Sequence, residues 1–121
     1  MTQLQGYSKE EASPFKKLLL QRKAKAVKEL KQYEDSLQES LQAMKNVSKA
    51  EEDNALMLEH EQISQLAIRQ KKFIKHLNFA LHRIQFGTYG ICAVTGKLIS
   101  KERLQMVPHT THSIAAKLER G

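Results

Sequence analysis

Tryptophan is absent from this chain, cysteine occurs once, proline twice and glycine five times. A lone cysteine, Cys92, excludes an intrachain disulfide and suits a reducing compartment. Residues 15–86 contain neither glycine nor proline, so nothing there breaks a helix. No apolar run approaches the ~18 residues of a membrane span. The opening MTQLQGYSKEE also lacks the apolar core of a signal peptide. Clustered acid/base pairs, glycine-rich phosphate loops and nucleophile motifs are missing too, which argues against an enzyme. These absences predict a soluble, cytoplasmic, non-enzymatic protein with long helices and no membrane segment.

With 121 residues, 40% of them hydrophobic, the chain suffices for one modest core. Apolar residues recur at Leu20, Val27, Leu30, Leu37, Leu41 and Met44, interrupted by Glu34. A second series, Ile63, Leu66, Phe73, Leu77, Ala80 and Ile84, is flanked by Ala67, Ile74 and Leu81 and interrupted by Gln70. Both have the a/d spacing of a coiled coil. KNVSKAEEDN (45–54) has the composition of a turn. Two helix starts compete: Ser8 to Glu11 reads as a capping box, and Ser13-Pro14 as an N-cap with proline at the first helical position. The main helix is expected from Pro14.

The expected fold is mostly α. Residues 1–13 are a lead segment, and 14–86 form a long antiparallel coiled-coil hairpin turning near 46–53. Its arm would be about 45–50 Å long, at ~1.5 Å per residue. Phe86-Gly87 reads as a glycine C-cap. Residues 87–121 form a small globular head, in which RLQMVP suggests a strand and HSIAAKLERG a short C-terminal helix.

The formal charge of +7 raises the prior for polyanionic partners, and its arrangement is uneven. Residues 62–88 hold Arg69, Lys71, Lys72, Lys75 and Arg83 and no acid. The stretch 12–31 opposes seven Lys/Arg with Glu29 alone. EEDNALMLEHE (51–61) reverses this, with five acids and no Lys or Arg. An antiparallel hairpin would therefore have a basic shaft and an acidic tip, where a solvated coiled coil usually mixes signs.

GTYGIC and TGKLISKERLQMVP, joined directly to a coiled-coil hairpin, resemble the DksA/TraR family of bacterial transcription factors. The resemblance covers Pro14 to about Glu119 and is most specific over Gly87–Pro108, with its Gly96-x-x-Ile99 turn and Arg103-Leu104 pair. It implies direct binding to RNA polymerase, insertion of the coiled coil through the secondary channel, modulation of initiation and a role in the stringent response. No sequence-specific DNA contact, membrane or self-association is expected, so the chain is read as a monomer. Two other readings stay open: a basic hairpin binding nucleic acid or the ribosome, and a structural coiled-coil adaptor.

The resemblance also assigns positions. The family's two C-x2-C pairs fall on Cys92, Thr95, Ser113 and Ala116, so the head keeps the frame of a zinc finger and one of its ligands. Zinc is therefore not expected, and His109 and His112 are poorly placed to rescue it. Ile91, Leu98, Ile99, Leu104, Val107 and Ile114 are the expected substitutes for the metal, and Cys92 is read as a small buried hydrophobe. The family's Asp-x-x-Asp-x-Ala tip falls on Glu52 and Asn54 without a gap, or on Asp53 and Ala55 with a one-residue slip. The slipped alignment makes Asp53 the effector acid, Ala55 its packing neighbour and Glu52 the substitute. Where family members use the alarmone ppGpp as co-effector, the corresponding positions are Arg69, Lys72, His76 and Lys117.

Overall fold

The computed structural model describes residues 5–46 and 54–119. It holds α1 (Lys9–Lys45), α2 (Asn54–Phe86), α3 (Lys101–Met106) and α4 (Ile114–Glu119). The chain divides into two compact units, Met1–Lys23 with Lys75–Gly121, and Ala24–Ile74. The unit containing the head thus takes in more than residues 87–121.

Helix α1 starts at Lys9, not at Pro14, and the capping box decides this. The Ser8 hydroxyl accepts from the Glu11 backbone N–H at 3.1 Å, the Glu11 carboxylate accepts from the Ser8 N–H, and Ala12 N–H closes the first turn on Ser8 O at 2.8 Å. Pro14 lies inside the helix, where it removes the single bond to the Glu10 carbonyl. Ala12 and Phe15 on either side of it are buried, so packing holds the turn that proline weakens. The far end of α2 is a Schellman motif, as the Phe86-Gly87 pair predicts. Gly87 has φ 79°, its N–H bonds Ile84 O, and Thr88 N–H bonds Arg83 O.

In the unit Ala24–Ile74 the two helices run antiparallel. Gln70 Nε2 donates to Ala26 O at 3.0 Å, and His60 Nδ1 lies 3.2 Å from Ser40 Oγ. Gln70 is therefore held half-buried against the opposite backbone, whereas Glu34 is exposed. The seam departs from the expected register in α1. Leu20, Val27 and Leu41 are exposed, while Leu19 and Ala26, one residue earlier, are buried. Three consecutive leucines, Leu18 to Leu20, allow either phase, and the phase that aligns Phe15, Leu19, Ala26, Leu30, Tyr33 and Leu37 wins. In α2, Ala67 rather than Leu66 is buried, with Leu77, Ala80 and Ile84 as expected.

The unit Met1–Lys23 with Lys75–Gly121 holds the larger core: Leu19, Leu77, Tyr89, Cys92, Ile99, Leu104 and Pro108 are all less than 2% exposed. RLQMVP forms no strand. Ser100 caps α3 by accepting from Arg103 N–H at 3.2 Å, and the helix buries Leu104. The glycine-rich stretch before it makes one isolated antiparallel bridge, Ile91 with Leu98. Residues 6–7 lie along 87–89, with Gly6 N–H on Gly87 O at 2.8 Å and Tyr7 N–H on Tyr89 O at 2.9 Å.

Candidate functional site

The four positions that resemble zinc ligands come together. Cys92 Sγ accepts from the backbone N–H of Thr95 at 3.5 Å and of Ser113 at 3.4 Å, and lies 3.6 Å from Ser113 Oγ. Ser113 Oγ in turn accepts from Ala116 N–H at 3.2 Å, which caps α4. The arrangement follows from the local sequence. Gly96, at φ 71°, returns the chain so that its N–H meets Cys92 O, and Cys92 N–H meets Lys97 O at 2.8 Å. Ala93 N–H reaches Thr111 O at 2.8 Å and brings the second knuckle alongside the first. Cys92 is buried as expected, yet it is not an inert hydrophobe. Burial pushes its thiol up, but hydrogen bonds from Thr95 and Ser113 outweigh this and bring it down to about 6.

The substitutes for a metal differ partly from those expected. Ile99 and Leu104 are fully buried and Ile91 and Val107 half-buried, but Leu98 and Ile114 are about half exposed. Tyr89 was missed, and it sits at the centre. It is fully buried, its ring centroid is 5.9 Å from that of Phe15, and its hydroxyl donates to Pro108 O at 2.8 Å. A tyrosine in the stretch GTYG reads as a turn residue, and only the tertiary contacts show otherwise.

Neither histidine turns toward Cys92. His109 faces His76 at 6.4 Å between ring centroids, and His112 Nδ1 lies 3.0 Å from Thr111 Oγ1. Among the described residues no group of three or more His, Cys, Asp or Glu is placed to hold a metal ion.

Of the tip positions, Ala55 lies exposed in the first turn of α2, and Glu52 and Asp53 lie outside the described residues. Arg69, Lys72 and His76 are exposed on α2, and Lys117 is exposed on α4. Arg69 and Lys72 belong to the unit Ala24–Ile74, His76 and Lys117 to the other. Among the described residues no helix is long and apolar enough to cross a membrane.

The model of the prokaryotic dksA/traR C4-type zinc finger family matches residues 87–119. The chain is 31% identical over 105 residues to the RNA polymerase-binding transcription factor DksA of Caulobacter vibrioides, covering 84% of this chain and 70% of that one. Transcription factor DksA2 from Pseudomonas aeruginosa superposes with TM-score 0.80 at 24% identity, covering 92% of this chain and 83% of that chain. The RNA polymerase binding protein and transcriptional regulator of Chlamydia trachomatis does so at 0.52 and 21%, covering 94% and 91%. These likenesses give the hairpin fold.

A C4 site needs four thiolates around a tetrahedral ion. Here Ala116 offers no donor, and the Thr95 and Ser113 hydroxyls are poor substitutes for sulfur. The residues present do not fit zinc. The frame is that of the family with its metal ligands reduced to Cys92, and the chain belongs to the DksA/TraR family.

Proposed function

We propose that this chain is a bacterial transcription regulator that binds RNA polymerase directly and acts by inserting its coiled-coil tip through the secondary channel. The observation that carries this reading is the match to the Caulobacter factor across 84% of the chain, helices and head together. The antiparallel helices and the charge pattern support it. A basic shaft can be steered onto an acidic partner surface, and acids at the turn can act on catalytic magnesium. On this reading the chain works in the cytoplasm as a monomer and catalyses nothing itself. Asp53 is the effector acid, with Ala55 as its packing contact and Glu52 as substitute. The head works without zinc, held by the Tyr89 core and the Cys92–Ser113 contacts. ppGpp acts as co-effector through Arg69, Lys72, His76 and Lys117.

Capture of purified core polymerase by the tagged chain, followed by single-round transcription with and without ppGpp, tests the reading. Stoichiometric capture and altered initiation are expected. Failure to retain polymerase, with DNA or RNA bound instead along a steep salt slope, would replace it by the nucleic-acid reading.

A further inference from the structure

Three carbonyls of the segment 106–110 are held by side chains from elsewhere. Arg22 Nη1 donates to Met106 O at 3.2 Å, the Tyr89 hydroxyl to Pro108 O at 2.8 Å, and Arg83 Nη2 to Thr110 O at 3.5 Å. The segment's own side chain at its centre is His109, half-buried, with exposed His76 beside it. Burial first, and then the charges of His76, Arg22, Arg103 and Arg83, hold His109 below the ordinary imidazole range. These four neighbours are all cationic groups. Arg22 from α1, Arg83 from α2 and Arg103 from α3 thus gather around one turn, all half-buried.

Partly buried guanidiniums are normally matched by carboxylates. Among the described residues these three have none. Their partners are the two carbonyls and, for Arg83, the Phe79 ring at 5.4 Å. The Arg83 and Arg103 Nε atoms are buried and have no acceptor among the described residues. Holding a loop by its carbonyls uses one N–H from each of Arg22 and Arg83 and leaves most of each fork unspent. It also gives Arg103 no part.

We infer that Arg22, Arg83 and Arg103, with His76 and His109 beside them, form a binding site for a small phosphate-bearing anion that is complete within one chain. Three forked donors exceed what one carboxylate accepts, whereas a phosphate dianion offers several oxygens and twice the charge. A nucleic-acid backbone is a poorer match, because the donors converge on one turn rather than tracking a groove. The site shares only His76 with the four positions assigned to ppGpp, and it does not depend on docking to polymerase.

The test is calorimetric titration of the free, full-length chain with pyrophosphate, inorganic phosphate and a nucleoside 5′-diphosphate at low salt. Histidine ring resonances are followed in parallel. Pyrophosphate should bind more tightly than chloride or sulfate and should raise the His109 titration midpoint. Equal binding of pyrophosphate and the nucleoside diphosphate supports recognition of phosphate alone, and tighter binding of the latter supports the same site with an added nucleoside contact. Loss of one charge-assisted contact in Arg103→Gln should weaken pyrophosphate about tenfold, while Lys97→Gln, at an exposed lysine outside both sets of positions, leaves it unchanged. Equal weakening by both variants would mean diffuse attraction to a basic surface and would overturn the site. Should Arg103→Gln fail to fold, exposed His76 decides. His76→Ala should weaken pyrophosphate about threefold at a pH where the imidazole is charged, and an unchanged affinity overturns the site.

Discussion

Gly6 has no room for a side chain. A Cβ there would stand 2.6 Å from Tyr89 N and meet the Tyr89 carbonyl oxygen even more closely. Gly6→Ala must therefore pry residues 6–7 from 87–89, and we expect a loss of about 1–3 kcal/mol in denaturant unfolding, the range of overpacked cores. Tyr89→Phe keeps the ring against Phe15 and deletes the bond to Pro108 O, so its cost should be smaller, about 1 kcal/mol. Cys92 tests the electrostatics of the same core. With its folded value depressed to about 6 from an unfolded value near 9, the folded state binds fewer protons between these limits. Stability should therefore rise with pH across that window and be lost as pH falls toward 6. His109, whose value is also depressed, acts in the same direction but below the ordinary imidazole value, so the rise above pH 7 belongs to Cys92. Thiolate absorbance, clean in a chain with one cysteine, should show a midpoint near 6 when folded, and Cys92→Ala should flatten the rise. A folded midpoint at the unfolded value would refute the hydrogen-bonded thiolate.

Helix length was legible because a glycine- and proline-free stretch with a/d spacing has few alternatives, and the Gly87 cap was legible because its chemistry is local. The phase of the α1 seam was not, because Leu18 to Leu20 satisfy two registers and partner packing alone separates them. Nor was α3, since Arg103 to Val107 alternates like a strand until the Ser100 cap and the burial of Leu104 are seen together. The head's frame was legible from its glycines and the Arg103-Leu104 pair. The Tyr89 centre and the arginines around His109 were not, because residues from α1, α2, α3 and the loops between them make them. What the frame retains can be measured. The purified protein should hold no stoichiometric zinc, and EDTA should leave its melting curve unchanged. The hydrogen bonds that join Cys92, Thr95, Ser113 and Ala116 imply that ligand geometry survives without the ligands. The combined variant Thr95→Cys, Ser113→Cys and Ala116→Cys should then take up one zinc per chain and melt at a temperature sensitive to EDTA. One zinc already present in the unmodified protein would sink the first expectation, and none in the variant would sink the second.

Across the whole chain, charge is sorted by sequence segment: 12–31 and 62–88 are basic, and 51–61 is acidic. If the proposed docking on polymerase holds, the two signs have separable effects. Lys72 and Lys75 are exposed and basic, so Lys72→Glu with Lys75→Glu should weaken polymerase binding more at low salt than at high, because the screening length shrinks to about 3 Å at 1 M. Asp53 should instead change the outcome of binding. Polymerase catalysis is two-metal phosphoryl transfer, in which magnesium clamps the attacking and leaving oxygens. A carboxylate delivered close to that cluster can attract a cation, repel a substrate phosphate or bias a mobile element, and so alter open-complex lifetime without touching promoter bases. Within the unit Ala24–Ile74, α1 contributes the 22 residues 24–45, about 33 Å of helix at ~1.5 Å per residue. Asp53→Asn should leave melting temperature and polymerase affinity within error, since the change is nearly isosteric and removes only the charge. The same variant should abolish the effect on initiation at sensitive promoters. Regulation intact in Asp53→Asn but lost in Glu52→Gln would show the gapless alignment of the tip to be right. Regulation intact in both would reject the tip mechanism and leave occlusion of the channel as the way the chain acts.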